Sequence, residues 1–328
     1  MAVTNAEYEK FFKDHEAEFR QAFYGSFDLV ENVRSVIFNE EDIDSDVVNH
    51  TGYGDLDLLD RFDLTNQVQY DNGHPLWDKT LRTYEWAKAV SIPRKTVRLN
   101  KYQDVINRLK NLGRSTARTI EHFAMGSIDG CSSTTFSFRG QSYDCKTPDS
   151  IGLCASGHKY APGAGVSGTQ SNAAALALTP TNLQANRLAM VTMKGYRGEK
   201  DILIQPDVLL VPEILSARAH EIVYSMQQPD TGNNNINTLN PGIPASVWKR
   251  PLRIVTSQLL TDGASEDVSK WFLIDSSLAK ESAHLLFTDR VTLEEELDFE
   301  TKRAKFSTYS MFGLGFTEWR WIYGSFPS

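Results

Sequence analysis

Residues 201–223 read DILIQPDVLLVPEILSARAHEIV. An apolar run of strand length lies between two prolines six residues apart, and a helical pattern follows at once. Proline has no backbone donor, so a sheet tolerates it only near the start of a strand, at an edge or at a bulge. In the first turn of a helix it is at no disadvantage. The spacing therefore predicts a buried strand over 202–211, with Pro206 near its start and Pro212 at its end. A helix, EILSARAHEIVYSM, follows directly. The stiffness is architectural, and no reactive side chain sits in Leu209, Leu210 or Val211.

Other segments fill in around this unit. Residues 6–23 carry Tyr8, Phe11, Phe12, Phe19 and Phe23 at helical spacing. Thr4 or Asn5 can cap that helix, but nothing adjacent in sequence covers its apolar stripe. Residues 39–63 are acidic with glycines and hold no long period, which reads as an extended arm or loop. Asn72-Gly73 is a hairpin signal, so 52–82 is expected to form a long hairpin standing away from the body. Residues 82–99 alternate as a strand does. Residues 101–125 return to a helix of roughly 36 Å, with Tyr102, Val105, Ile106, Leu109, Leu112, Ala117, Ile120 and Ala124 on one stripe. Gly113 interrupts it, at about 1 kcal/mol relative to Ala. Residues 126–175 read as loop, and a capped helix starts near Thr179 or Thr181. Further strands are expected in PLRIVTSQLL, WFLIDSS and LLFTDR, with a closing strand or hairpin over 297–325. Glu294, Glu295 and Glu296 read as a solvated run before it.

The 328 residues suit one large domain or two ordinary ones. No stretch of about 18 apolar residues suggests a membrane span, and the start of the chain lacks the pattern of a secretory signal. Three cysteines, Cys131, Cys145 and Cys154, argue against a disulfide framework and for a reducing compartment. The net charge of −8 is unevenly spread. Residues 1–63 hold 16 acidic and 5 basic side chains, while 79–118 hold 11 basic and 2 acidic ones. Either these are two solvated faces, or the two segments meet within a chain or between chains.

Reactive constellations are weak. Asp230-Thr231-Gly232 matches a protease triplet once, in a turn-rich loop. Cys131, Cys145, Cys154 and His158 lack the paired spacing of a zinc knuckle. GAGVSGTQSN has neither a phosphate-loop lysine nor dinucleotide spacing. His220 sits in a predicted helix without a second metal-ligand histidine. No catalytic residue, metal or cofactor is assigned. This leans toward a structural or binding role; a soluble enzyme or ligand-binding protein would need a concave pocket with convergent polar groups.

Four stretches carry a resemblance. IQPDVLLVPEILSARAHEI (204–222), GLCASGHKYAPG with SGTQSN (152–171), WFLIDSS (271–277) and FTEWRWIYGS (316–325) occur in this order. In them the chain resembles the major capsid proteins of tailed bacteriophages with the Hong Kong 97 fold, most of all the Mu-type head subunits. The likeness runs from about residue 80 to 325, and 157–162 departs from that group's T-A-H-P wording. The residues that carry it are Pro206, Leu209, Leu210, Val211, Pro212, Trp271, Trp319 and Arg320.

The resemblance implies an α+β fold. It implies an N-terminal arm at 1–51, a projecting E-loop hairpin at 52–82 and a spine helix at 101–125. A peripheral domain would comprise 83–175 and 285–328, and an axial domain 176–284. It implies a non-enzymatic subunit that self-assembles, through pentamers and hexamers, into an icosahedral shell around double-stranded DNA. A separate scaffold, a portal and decoration proteins are the implied partners, with DNA held non-specifically on the inner face and no membrane. Assembly would take place in the host cytoplasm and the product would be the virion capsid. In that setting the acidic arm and hairpin are expected to dock on the basic region of an adjacent subunit. The candidate contacts are Asp55, Asp57, Asp60 and Asp63 against Arg108, Arg114 and Arg118.

Overall fold

The computed structural model describes residues 5–30, 32–53, 75–93, 95, 96, 99, 101–161, 167–200, 202–230, 232, 235–261, 263, 265–298, 300, 301 and 303–327. It opens with helix α1 (Asn5–Phe27) and the single-turn helix α2 (Arg34–Ile37). Strands β1 (Asn39–Asp42), β2 (Val47–Tyr53), β3 (Pro75–Arg82) and β4 (Tyr84–Pro93) follow. The long helix α3 (Tyr102–Asp129) leads to two antiparallel pairs. These are β5 (Thr135–Phe138) with β6 (Gln141–Asp144), and β7 (Ser156–Lys159) with β8 (Thr169–Ser171). Next come β9 (Ala173–Ala174), helix α4 (Pro180–Val191), β10 (Val208–Pro212), helix α5 (Ser216–Tyr224) and β11 (Arg253–Ser257). The chain closes with β12 (Trp271–Ile274), helix α6 (Ser276–Ser282), β13 (Ala283–Asp298), β14 (Arg303–Phe316) and β15 (Ile322–Ser325). Strands and helices occur in separate runs rather than in regular alternation, which is the expected α+β class.

Two sheets organise these elements. The first runs β11-β10-β12-β15-β9 and the second β1-β13-β14-β4. The proline-bounded strand is interior to the first sheet. Leu209 of β10 lies opposite Ile254 of the parallel β11 and Leu273 of the antiparallel β12. All five β10 residues are buried, which explains the unbroken apolar run. The strand is shorter than the expected 202–211. Pro206 stands just ahead of it, Pro212 is its last residue, and a 3-10 turn (Glu213–Leu215) delivers the chain to α5.

Three sequence expectations need correction. Residues 135–174 are not plain loop but hold five strands of two to four residues, too short to display a period of two. Glu294, Glu295 and Glu296 lie within β13 rather than ahead of a strand, and they remain exposed on it. The closing stretch is not one strand or hairpin: β14 stops at Phe316, and β15 crosses into the other sheet beside β12. Residues 322–325 thus complete the first sheet, between β12 and β9. The hairpin over 52–82 is present at its base, where β2 pairs antiparallel with β3. Its tip, with Asn72 and Gly73, lies outside the described residues.

Helix α3 is 28 residues long, one turn past the expected end, and so about 42 Å in length. Its apolar stripe enters two cores. Val105, Ile106, Leu109 and Leu112 pack with Phe12, Phe19 and Phe23 of α1 and with Leu293 and Phe306 of the second sheet. Ile120, Phe123, Ala124, Met125 and Ile128 pack with β10, β12 and β15. The stripe of α1 thus finds its partner about 90 residues away, a pairing no local pattern announces. Each buried phenylalanine contributes roughly 1.5–3 kcal/mol.

Gly113 explains how closely the two helices approach. A Cβ built there would stand 2.4 Å from the Phe23 carbonyl oxygen and 2.7 Å from Ser26 Oγ. Ser26 Oγ itself lies 3.0 Å from the Lys110 carbonyl oxygen. The glycine is the space into which α1 settles. Gly113→Ala should therefore destabilise, although it removes a helix-propensity penalty of about 1 kcal/mol. We expect a net loss of about 1–3 kcal/mol from overpacking, read as a lower urea midpoint and faster proteolysis within α1. An unchanged or raised midpoint would show that α1 does not seat on α3 in solution.

Candidate functional site

The four stretches behind the sequence resemblance meet around the first sheet. β10, β12 and β15 supply three adjacent strands, and β9 pairs with β15. Asn172, fully buried, binds the segments together. Its Nδ2 donates to carbonyl oxygens of Leu153 (2.7 Å), Trp319 (3.2 Å) and Ile322 (3.2 Å), and its Oδ1 accepts from Ala155 N. His158 stacks on Trp319 at 4.3 Å and 11°. Its Nδ1 lies 2.7 Å from Asp149 Oδ2. Burial pushes the Asp149 carboxyl up, but bonds from His158, Thr147 and the Lys159 amide together hold it below the usual range.

Arg320 is 1% exposed, and its guanidinium spans the same junction. Nε donates to Lys194 O (2.9 Å), Nη2 to Tyr160 O (2.7 Å), and Nη1 to Glu318 Oε1 (2.8 Å). The Trp271 indole donates to Leu176 O at 2.9 Å. Pro206 places Asp207, whose carboxylate accepts from Ser276 N (2.8 Å) and Ser276 Oγ (2.6 Å) at the start of α6. These residues are structural: they close the sheet and set its turns.

The arm is pinned to the body by charges that local patterning does not reveal. Glu121, in the middle of α3, accepts from the amides of Val33 (2.8 Å) and Arg34 (3.1 Å) at the start of α2. Its other oxygen meets Arg34 Nη1 at 3.0 Å. Lys280 donates to the Ser35 and Phe38 carbonyls at the far end of α2. A carboxylate therefore sits at the positive end of this short helix and an ammonium at the negative end. Burial pushes the Glu121 carboxyl above its ordinary range, against the pull of Arg34 and the two amides.

The hairpin base carries a second joint. His50 of β2 stacks on His284 of β13 at 4.7 Å and 28°. His284 Nδ1 is 3.0 Å from Glu41 Oε1 on β1, and its Nε2 is 3.2 Å from Thr317 Oγ1. His50 Nε2 is buried with no hydrogen-bond partner among the described residues. Lys79 lies opposite His50 on β3, and its ammonium is on Asp144 at 2.6 Å.

The candidate contact residues fall into two groups. Asp55, Asp57, Asp60 and Asp63 lie outside the described residues. Arg108, Arg114 and Arg118 are exposed on α3, and among the described residues no carboxylate pairs with them. Arg108 Nη1 reaches only the Ser91 carbonyl, at 3.2 Å. Grooves of 450 and 480 Å³ flank Arg114 and Arg118, one toward 257–259, the other toward Phe138 and Arg139. Several acids of the arm, by contrast, are engaged within the chain. Glu40 meets Arg34 and Arg290, Asp42 meets Arg290, and Glu18 accepts from the Tyr102 hydroxyl. The expected docking of the whole acidic segment on a neighbour is thus narrowed: the arm's charges between 40 and 42 are satisfied at home.

The reactive candidates are not assembled into a site. Asp230 sits in a turn with φ of 63° and pairs with Arg218. The three cysteines are buried and free. Among the described residues no His, Cys, Asp and Glu group is arranged to hold a metal. His220 is exposed, with Nδ1 2.8 Å from Ser216 O.

A family profile described as phage capsid protein matches residues 78–325. No curated protein matches the chain significantly. The fold is similar to that of the mature capsid of bacteriophage PhiM1, with a TM-score of 0.55 and 8% identity over 92% of this chain and 88% of that one. The capsid of Ralstonia phage GP4 gives 0.54 and 9% over 90% and 88%. The procapsid of bacteriophage JBD30 gives 0.51 and 8% over 97% and 76%. At such identities the likeness is one of fold.

Two outcomes follow from these joints. Burial first, and then the neighbouring His284, hold the His50 imidazole below its ordinary value, while Glu41 pulls the other way. The folded state thus favours neutral His50. Its contribution is present above the unfolded value of about 6.5 and is lost as pH falls through that value toward the folded one. Amide exchange in 47–53 and 75–82 should quicken on acidification, beyond the intrinsic rate change. His50→Phe, which keeps a stacked ring and cannot be protonated, should remove that step; a wild-type profile in the variant would discount His50. For the arm, Glu121→Ala leaves two buried amides without an acceptor and Arg34 with Glu40 alone. It should cost about 3–5 kcal/mol, and protease cleavage within 32–42 should rise with it; unaltered cleavage would mean the joint does not hold the arm.

Proposed function

The chain belongs to the phage capsid protein family, and on that premise we propose how its surfaces build a shell. It is a major capsid protein of Hong Kong 97-type fold, a structural protein whose copies form the shell of a bacteriophage head. The order and spacing of the four sequence stretches favour the Mu-type head subunits within that group.

The observation that carries the arrangement is the distribution of exposed apolar side chains. Among the described residues ten large ones are exposed. Six of them, Leu176, Leu188, Leu203, Tyr224, Met226 and Ile236, fall between 176 and 236. Clustering of such side chains in one part of a subunit marks surface that a partner covers. In this reading the axial domain, built from 176–284 together with β15, gathers around the fivefold and sixfold axes and buries them in pentamers and hexamers. The peripheral domain, built from 83–175 and 285–316 around α3, makes the outer lattice contacts. The arm at 1–51 stays on its own subunit through α1 and α2, and the hairpin at 52–82 reaches the next one.

Hairpin acids Asp55, Asp57, Asp60 and Asp63 then dock on Arg114 and Arg118 of the adjacent subunit, with Arg108 at the margin. The support is charge: three exposed arginines without a carboxylate partner among the described residues on one side, four aspartates within nine residues on the other. Packaged double-stranded DNA is the competing occupant, since arginines on an inner face attract phosphate. The subunit's net charge of −8 limits such binding to weak, non-specific contact. Scaffold, portal and decoration proteins complete the particle, which assembles in the host cytoplasm.

Exposed pairs contribute about 0.2–1 kcal/mol each and are screened beyond about 8–10 Å. Shell yield should therefore fall between low and high salt. Arg114→Glu with Arg118→Glu should abolish assembly, and reversal of the four aspartates to lysine in the same chain should restore part of it. Light scattering and electron microscopy read both. Equal yields at the two salt concentrations, or a double variant that assembles normally, would remove electrostatic docking from the mechanism.

A further inference from the structure

A pocket of 110 Å³ opens between α4, residues 202–206 and residues 247–249. Arg187, Lys200 and Lys249 line it together with the apolar Val191, Ile204 and Trp248, and among the described residues no carboxylate lines it. Arg187 Nη1 donates to Val247 O at 3.3 Å, and the guanidinium lies 5.8 Å from the Trp248 ring centre. Its Nε is buried and has no hydrogen-bond partner among the described residues. An arginine remains charged even where burial lowers its affinity for the proton. A buried charged donor without an acceptor is costly, and the two lysines add to the charge instead of offsetting it.

We infer that this pocket is a socket for an aspartate or glutamate side chain of a second copy of this chain. The inference rests on the shell reading above and deepens it. The volume admits several waters and suits one carboxylate-bearing side chain rather than a nucleotide or a folded segment. The rim points to another copy as the source. Leu203 in the lining is 77% exposed, and Leu188, next to Arg187 in sequence, is 56% exposed. Both belong to the group of exposed apolar residues on the axial domain. A neighbour that covers this collar brings its own surface to the pocket mouth, and the subunit carries 42 acidic against 34 basic side chains. Once the collar is dry, the carboxylate meets the Arg187 guanidinium edge and the flanking ammonium groups in charge-assisted bonds, shielded from salt as the hairpin contacts are not.

Arg187→Met tests this, because it keeps the apolar stem and removes donors. The isolated subunit should lose little of its urea midpoint, since the 3.3 Å bond to Val247 O goes together with a buried charge that lacks an acceptor at Nε among the described residues. The threshold concentration for shell formation should rise tenfold or more, at high salt as well as low. A threshold equal to wild type would overturn the socket and leave the shell reading standing. Failure of the wild-type chain to form shells even with a scaffold would instead undo that reading. In case the variant misfolds, wild-type shells made from mixed ¹⁴N and ¹⁵N subunits can be treated with a carbodiimide. The expected product joins Lys200 or Lys249 to an acidic residue of a differently labelled copy; its absence would overturn the proposal. Phosphate shares the chemistry, so calorimetric titration of inorganic phosphate into the isolated subunit separates the sources. Arg187-dependent phosphate binding, with a wild-type assembly threshold in Arg187→Met, would make the pocket a free-anion site and overturn the inter-subunit assignment.

Discussion

One buried apolar stripe, on one side of α3, holds this protein together. Its first half packs on α1 and the second sheet, and its second half packs on the sheet around β10. A continuous helix of this length is a stiff rod, so the two cores share a strut rather than a flexible linker. The stripe must stay unbroken for about seven turns, and Gly113 is the one place where backbone space counts for more than helix propensity. The arm settles where that space is, and the hairpin base stands on the sheet that the same stripe supports.

Buried charges set the joints between these bodies. Glu121 and Lys280 grip opposite ends of α2, Arg320 ties the closing turn to the loop before α4, and Asp207 fixes the start of α6. Groups of this kind add less stability than their number suggests, because each was first taken out of water. Their value is directional. An apolar contact tolerates sliding, whereas a carboxylate that accepts two amides and an arginine does not. A lattice subunit has to present its arm and hairpin at repeatable angles, and these are the bonds that set them.

The subunit is also defined by what it leaves unpaired. The acids near 40 are consumed within the chain, while Arg114 and Arg118 are open on α3. Among the described residues, six of the ten exposed large apolar side chains fall between 176 and 236, and the Arg187 pocket lies among them. These features are spread over separate surfaces, as repeated contact with identical neighbours requires.

Much of this was legible in the sequence, and the reason differs from element to element. Residues 101–125 showed their helix because its period is local, and LLV between two prolines showed a buried strand because both constraints act within six residues. The order of the four family stretches announced the fold. The charge split was legible, but its destination was not. Glu40 and Asp42 found Arg290 some 250 residues away, a pairing that depends on β1 lying beside β13. The five short strands of 135–174 were hidden because two to four residues cannot show alternation. The roles of Glu121, His50 with His284, and Arg187 left no sequence signal, since an isolated charged or imidazole side chain looks the same on a surface as in a joint. Local periodicity, proline geometry and composition were thus determined by the sequence itself. Which charges are buried, which stay open, and to which sheet the last strand belongs were decided only when distant segments packed and set the desolvation of each group.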